Sequence, residues 1–126
     1  MNFLIIGDVV GRTGRNALQN NLKKIQKKFS IDFTIINGEN SAGGYGITGK
    51  IYEDMMSWGA DVITLGNHAW KQEEIITYMK DNPDHNIIRP LNFSSNFSKL
   101  FCSFLILSTF AILNIFKFGM SCHSLR

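Results

Sequence analysis

The sequence predicts an α/β domain built on a parallel β-sheet. Short apolar runs that end in glycine alternate with segments whose apolar residues recur at helical spacing, in the order βαβαβα. Strands that alternate with helices imply a parallel sheet with right-handed crossovers. The chain has 126 residues, which is enough for one domain of ordinary core size and too few for two.

The predicted elements occupy the first 92 residues. In chain order they are a buried strand over 2–8, a helix over 11–29, a strand over 31–38, a helix over 49–58, a strand over 61–66, a helix over 71–82 and the start of a fourth strand at 86–90. His85 precedes that last strand in a polar turn, where we expect it to be exposed.

Helix periodicity and end signals support the three helices. The first helix carries one apolar stripe, formed by Leu18, Leu22, Ile25 and Phe29. Thr48 is placed to cap the second helix, and Gly59 is placed to end it. In the third helix we expect the inward-facing residues to be Ile75, Ile76 and Met79.

The composition changes at about Phe93. Residues 93–126 contain no acidic residue, seven of the ten phenylalanines and seven serines, without a clear period of 2 or 3.6. The favoured interpretation is an aberrant tail, read in a wrong frame from near codon 93. The alternatives are a genuine, unusually composed helix, or a weak membrane anchor over 100–116, which polar residues disfavour.

Charge and cysteine usage exclude several classes of protein. The formal net charge of +3 comes entirely from Lys99, Lys117 and Arg126, so the basic balance is no evidence for binding of a nucleic-acid duplex, which needs a clustered basic face. Cys102 and Cys122 lack the spacing of a zinc site. The amino terminus lacks the basic and long apolar regions of a signal peptide. We therefore expect a reduced, cytoplasmic protein.

Polar residues follow three of the predicted strands in the same way. Each strand ends in glycine, and the next residues are, in turn, Asp8, then Glu39 with Asn40, then Asn67 with His68. The carboxyl ends of parallel strands share one edge, where ligands bind. Carboxylate and carboxamide oxygens are hard ligands suited to Mg²⁺, Mn²⁺ or iron. The sequence therefore predicts a metal site there.

Each of these residues also has a purely structural interpretation. Asp8, and the Asn67-His68 pair, could cap the helices that follow them, and Asn40 could be a turn residue. The repetition at three strand ends favours a site. A dinucleotide-binding loop is disfavoured, because "GDVVGRTG" has the spacing GxxxGxxG where GxGxxG is required.

Three motifs together resemble the bacterial calcineurin-like metallophosphoesterases of the YmdB-type subgroup: "IIGDVVGRTGR", "NGENSAGGYGIT" and "TLGNHAW". The resemblance covers residues 1 to about 92. It implies half of a fold in which two sheets pack face to face between helices. It also implies a phosphodiesterase of cyclic nucleotides or related phosphodiesters that forms homo-oligomers when intact.

The same resemblance implies a role for each site residue. Two divalent metal ions (Fe, Mn or Mg) would be held by Asp8, Glu39, Asn40 and Asn67, and they would activate water and neutralise phosphoryl charge. His68 would be the acid that protonates the leaving alkoxide. The substrate-binding residues stay unknown.

The sequence departs from the family pattern in several places. Val10 stands where most of the superfamily has histidine, and Ala69 where many members have an acid. The family is about twice as long, and nothing after Asn92, His123 included, supplies its later histidine ligands. We therefore expect weak or absent catalysis by this chain. Two alternatives remain: a non-catalytic nucleotide- or phosphate-binding module that uses the loop at 41–46, and a membrane-tethered protein.

Overall fold

A computed structural model describes residues 1–90, whose four strands form one parallel sheet in the order β1-β2-β3-β4. The predicted α/β class, its parallel sheet and its fourth strand are therefore confirmed. In chain order the elements are β1 (Phe3–Ile6), α1 (Gly11–Phe29), β2 (Phe33–Asn37), α2 (Gly49–Trp58), β3 (Val62–Thr64), α3 (Glu74–Asp81) and β4 (Ile87–Ile88).

The three helices cover one face of this sheet. Right-handed crossovers between successive neighbouring strands place every helix on the same side, and α2 accordingly packs beside both α1 and α3. The strand register aligns Ile36, Ile63 and Ile87 across the covered face, where each is at most 1% exposed. They form the core together with helix residues that include Leu18, Leu22, Tyr52, Met55, Ile75 and Met79.

The opposite face of the sheet is more open. Ile5 of β1 aligns with Ile35 of β2 on that face, and Ile5 is 63% exposed. The prediction of a buried first strand was therefore wrong. Successive strand residues point to opposite faces, so a sheet that is covered on one side buries only alternate residues, and β1 is moreover an edge strand.

The ends of the helices follow the sequence signals in α1 and α2. The first helix spans the predicted residues, and Gly59 ends the second in the left-handed conformation with a φ of 116°. The Thr48 hydroxyl accepts a hydrogen bond from the Ile51 amide at 3.3 Å, as the cap prediction requires. Phe29 was placed wrongly, because it is 56% exposed in the last turn of α1, beyond the stripe that Leu18 and Leu22 bury.

The third helix begins later than predicted. It starts at Glu74 instead of residue 71, because residues 66–73 form a series of turns, with hydrogen bonds from the Ala69 amide to the Gly66 carbonyl and from the Lys71 amide to the His68 carbonyl. Ile75 and Met79 are buried as expected, whereas Ile76 is only half-buried.

The predictions for His85 and for the residues after 92 have different outcomes. His85 is half-buried, not exposed, and its Nδ1 accepts a hydrogen bond from the Ile87 amide at 3.1 Å. The predicted tail, 93–126, and the candidate anchor, 100–116, lie outside the described residues, so those interpretations stay predictions. None of the helices within 1–90 combines the length and the apolar composition that crossing a bilayer requires.

Candidate active site

Three loops meet at the carboxyl edge of the sheet. They follow β1, β2 and β3 and span residues 7–10, 38–48 and 65–73. Backbone hydrogen bonds join the first loop to the end of β2, from the Val9 amide to the Asn37 carbonyl at 3.0 Å, and the start of α1 to the second loop, from the Gly11 amide to the Asn40 carbonyl at 2.9 Å. The second loop is fixed to the end of β3 by a further bond from the Gly38 amide. The parallel topology thus brings the predicted strand-end residues to one rim.

A line of side-chain hydrogen bonds crosses this rim. The Asn40 Nδ2 donates to both carboxylate oxygens of Asp8, at 2.9 and 2.8 Å, and the Asn40 Oδ1 lies 2.5 Å from the His68 Nδ1. Because an amide oxygen can only accept, Nδ1 must carry the hydrogen in this contact. The neutral imidazole therefore keeps its lone pair on Nε2, which is the nitrogen left for a ligand or a proton.

Glu39 instead contacts the backbone of the third loop and the side chain of Asn37. Its Oε2 accepts from the His68 amide at 3.3 Å, and its own amide donates to the Asn37 Oδ1 at 3.2 Å. The carboxylate lies directly over Gly66: a Cβ at that position would fall 2.2 Å from Oε2 and 2.4 Å from Oε1. A glycine at the end of β3 therefore leaves the space that the Glu39 carboxylate occupies.

Asn67 is the one predicted site residue that the structure does not connect to the others. It follows Gly66 in the third loop, its side chain is exposed, and it makes no hydrogen bond with any part of residues 1–90. Asp8, Glu39, Asn40 and His68 are thus brought together by contacts, whereas Asn67 shares only the loop.

The two carboxylates at the rim, those of Asp8 and Glu39, form no ion pair within residues 1–90. The salt bridges found within residues 1–90 involve Asp32 and Asp54, and neither Asp8 nor Glu39 belongs to one. The same part of the chain contains no group of three or more histidine, cysteine, aspartate or glutamate side chains that could hold a metal ion. The site therefore offers two carboxylates and neighbouring carboxamides as its oxygen donors.

Sequence reasoning missed one residue at this site, Tyr45. Its ring meets the His68 ring edge-on, with centroids 5.1 Å apart and an interplanar angle of 62°, and Tyr45 is 59% exposed. It belongs to the glycine-rich stretch "SAGGYG", which predicted a loop but not where that loop returns. The sequence signal for Tyr45 was a single aromatic residue among small residues. Spacing along the chain could not predict its contact with His68.

Comparison with known proteins identifies the family of this chain. The family model for "YmdB-like protein" matches residues 4–114, most of the chain. The chain belongs to the YmdB-like family. Over 93 residues it is 48% identical to the 2′,3′-cyclic-nucleotide 2′-phosphodiesterase of Bacillus subtilis strain 168, and over 98 residues it is 37% identical to a putative phosphatase/phosphodiesterase of Mycoplasma pneumoniae. These alignments cover 74% and 78% of this chain but 34% of each relative.

Solved structures show the same relation. A hypothetical protein from Thermus thermophilus matches 76% of this chain with a TM-score of 0.68 and 34% identity, and a phosphatase from Mycoplasma pneumoniae matches 75% with a TM-score of 0.66 and 37% identity. The matches cover 36% and 33% of those chains. The matched part of this member of the YmdB-like family therefore spans about a third of the length of these relatives.

Proposed function

We propose that this chain supplies one side of a metal-dependent phosphoesterase site that hydrolyses small phosphodiesters. The observation that carries the proposal is the convergence of Asp8, Glu39, Asn40 and His68 at the ends of three parallel strands. Relatives with 48% and 37% identity are named a phosphodiesterase and a putative phosphatase/phosphodiesterase, which favours hydrolysis over a non-catalytic binding module.

The donor chemistry of the rim suits a hard divalent cation. Two carboxylates without salt-bridge partners lie beside carboxamide side chains, Asp8 beside Asn40 and Glu39 beside Asn37, and a cation would neutralise their charge. The residues that would hold metal are Asp8, Glu39, Asn40 and Asn67. Two bound ions, iron, Mn²⁺ or Mg²⁺, would supply an activated water and would neutralise charge on the phosphoryl oxygens.

His68 would serve as the general acid. The Asn40 oxygen holds its Nδ1, and the Glu39 carboxylate holds its backbone amide, so both the ring and the main chain are fixed. Its Nε2 is then free to carry a proton to the leaving oxygen as the ester bond breaks. A positioned acid of this kind contributes about 10²–10⁴-fold to the rate.

The name of the Bacillus subtilis relative extends the proposal to a substrate. That relative is a 2′,3′-cyclic-nucleotide 2′-phosphodiesterase, and we propose a cyclic nucleotide phosphodiester as the substrate of this chain. The expectation of weak or absent turnover by the 126-residue chain also stands as part of the proposal, since the described rim offers few ligands. Cytoplasmic location and homo-oligomerisation stay predictions from the sequence.

Metal binding tests the proposal on the chain as it is. Titration with Mn²⁺, followed by the loss of the free-ion signal in electron paramagnetic resonance, should show binding that Asp8→Asn and Glu39→Gln each weaken at least tenfold. Asp84→Asn is the control, because Asp84 is exposed in a turn that precedes β4, at the opposite end of the sheet. Equal Mn²⁺ affinity in all four proteins would refute the proposed site.

Turnover gives a second readout of the same proposal. Hydrolysis of adenosine 2′,3′-cyclic phosphate by the 126-residue chain with Mn²⁺ should be weak or absent. Chelator-sensitive hydrolysis at a rate typical of enzymes would show that the expected deficit is wrong.

A further inference from the structure

Tyr45 presents an exposed aromatic ring beside the proposed acid. It is 59% exposed, and its edge-on contact with His68 is the one ring contact that it makes within residues 1–90. Large exposed aromatics are uncommon in this part of the chain, and the other is Phe29, at the far end of α1. An aromatic ring left open next to a reacting centre is available to a ligand.

The loop that carries Tyr45 is held tightly. The Tyr45 carbonyl accepts from the Gln72 Nε2 at 3.0 Å, and the Tyr45 amide donates to the Ala42 carbonyl at 3.2 Å. The Ala42 amide in turn donates to the Gly46 carbonyl at 3.0 Å. At Gly46, whose φ is +71°, an added Cβ would lie 2.8 Å from the Gln72 side chain. The ring is therefore presented from a preorganised backbone, which lowers the entropy lost when a ligand binds.

We propose that Tyr45 is the stacking surface for the base of a nucleoside phosphodiester substrate. The inference rests on the proposed function and names the substrate class of the same site. When His68 protonates the leaving oxygen of such a substrate, that oxygen belongs to the ribose. The nucleoside must then lie on the His68 side of the phosphorus, with its base one sugar away, and Tyr45 contacts His68 on that rim.

Stacking on an aromatic ring tolerates any base, because every base has a π face. Tyr45 should therefore favour nucleosides over simple alkyl phosphates without selecting one base. Removal of the ring should weaken nucleotide binding about 5- to 100-fold, and removal of the hydroxyl alone should change it by less than about twofold.

Saturation-transfer difference NMR tests this on the 126-residue chain with Mg²⁺. The probes are adenosine 2′,3′-cyclic phosphate and, separately, inorganic phosphate followed through the backbone amide shifts of the rim. In the unchanged chain and in Tyr45→Phe, the adenine protons should receive saturation. In Tyr45→Leu that saturation should disappear and the nucleotide affinity should fall, whereas the phosphate affinity should hold. Phe29→Leu is the control for loss of an exposed ring.

The other possible outcomes contradict either the stacking role of Tyr45 or the proposed function of the site. If phosphate binds with Mg²⁺ but the adenine protons stay unsaturated, or if Tyr45→Leu binds the nucleotide as tightly as the unchanged chain, Tyr45 is not the stacking surface. If Tyr45→Leu loses phosphate and nucleotide in parallel while its amide spectrum stays native, Tyr45 positions His68 and does not bind a base. If neither probe binds to the unchanged chain, the proposed function fails and this inference fails with it.

Discussion

Glycine at position 66 leaves the space that the Glu39 carboxylate occupies. The carboxylate of Glu39 lies where a side chain at position 66 would begin, 2.2 Å from the position of its Cβ. The clashing atoms are the far end of a flexible side chain, so a larger residue at 66 can be accommodated when Glu39 swings away. The glycine is therefore needed more for the position of the carboxylate than for the stability of the fold.

Gly66→Ala should therefore separate stability from ligand binding. We expect the free energy of unfolding in urea to change by less than about 1 kcal/mol, while Mn²⁺ affinity falls at least tenfold because the Glu39 carboxylate is displaced. Gly7→Ala is the matched control, since Gly7 also ends a strand and an added Cβ there meets nothing within 4 Å. Unchanged Mn²⁺ affinity in Gly66→Ala would show that the carboxylate does not hold the ion.

Asn40 fixes which nitrogen of His68 carries the hydrogen. Its amide group is oriented by two bonds to Asp8, so its oxygen faces Nδ1. In the metal-free chain we expect neutral His68 to be the Nδ1–H tautomer, and we expect Asn40→Ala to shift it towards Nε2–H. The two-bond and three-bond ¹⁵N–¹H couplings of the imidazole distinguish the two. An unshifted tautomer in Asn40→Ala would mean that Asn40 does not orient the ring.

At the scale of secondary structure, the turn that leads into β4 depends on an unprotonated histidine. Burial lowers the pKa of His85, and its Nδ1 accepts from the Ile87 amide. Protonation at Nδ1 would remove that acceptor. The folded state therefore binds this proton less well than the unfolded chain does, and folding is favoured while His85 is neutral.

The stability of the domain should thus fall as the pH is lowered. The contribution of His85 is fully present above the unfolded pKa of about 6.5 and is lost as the pH falls through that value towards the lowered folded pKa. We expect the urea midpoint to fall between about pH 7.5 and pH 5, and the fall to be smaller in His85→Asn, whose side-chain oxygen can still accept from the residue 87 amide. An equal pH dependence in both proteins would contradict this role.

At the scale of the whole molecule, the sheet is covered by helices on one side only. Consecutive strands pair in chain order, and consistent right-handed crossovers leave the other side without helices from residues 1–90. Apolar side chains remain there, Ile5 above all. An exposed apolar sheet face promotes association with other chains.

Ile5→Thr should therefore reduce self-association of the 126-residue chain. Threonine keeps the β-branched shape that a strand favours while it makes the face more polar. Sedimentation velocity over a range of concentrations should show less oligomer or aggregate in this variant. Val10→Thr makes the same kind of change at a residue 52% exposed outside the strands, and it should leave association unchanged. Equal association in the unchanged chain and Ile5→Thr would show that the open face does not cause the association.

The sequence by itself determined the order of elements, the parallel sheet, the helix ends at Thr48 and Gly59, and the residues placed at the strand ends. Those features depend on neighbours along the chain, because local periodicity, capping and strand termination set them. Tertiary structure alone decided that Ile5 is exposed, that the third helix starts after a series of turns, and that Tyr45 returns to His68. These depend on which face the helices cover and on contacts between loops far apart in sequence, which no local pattern records.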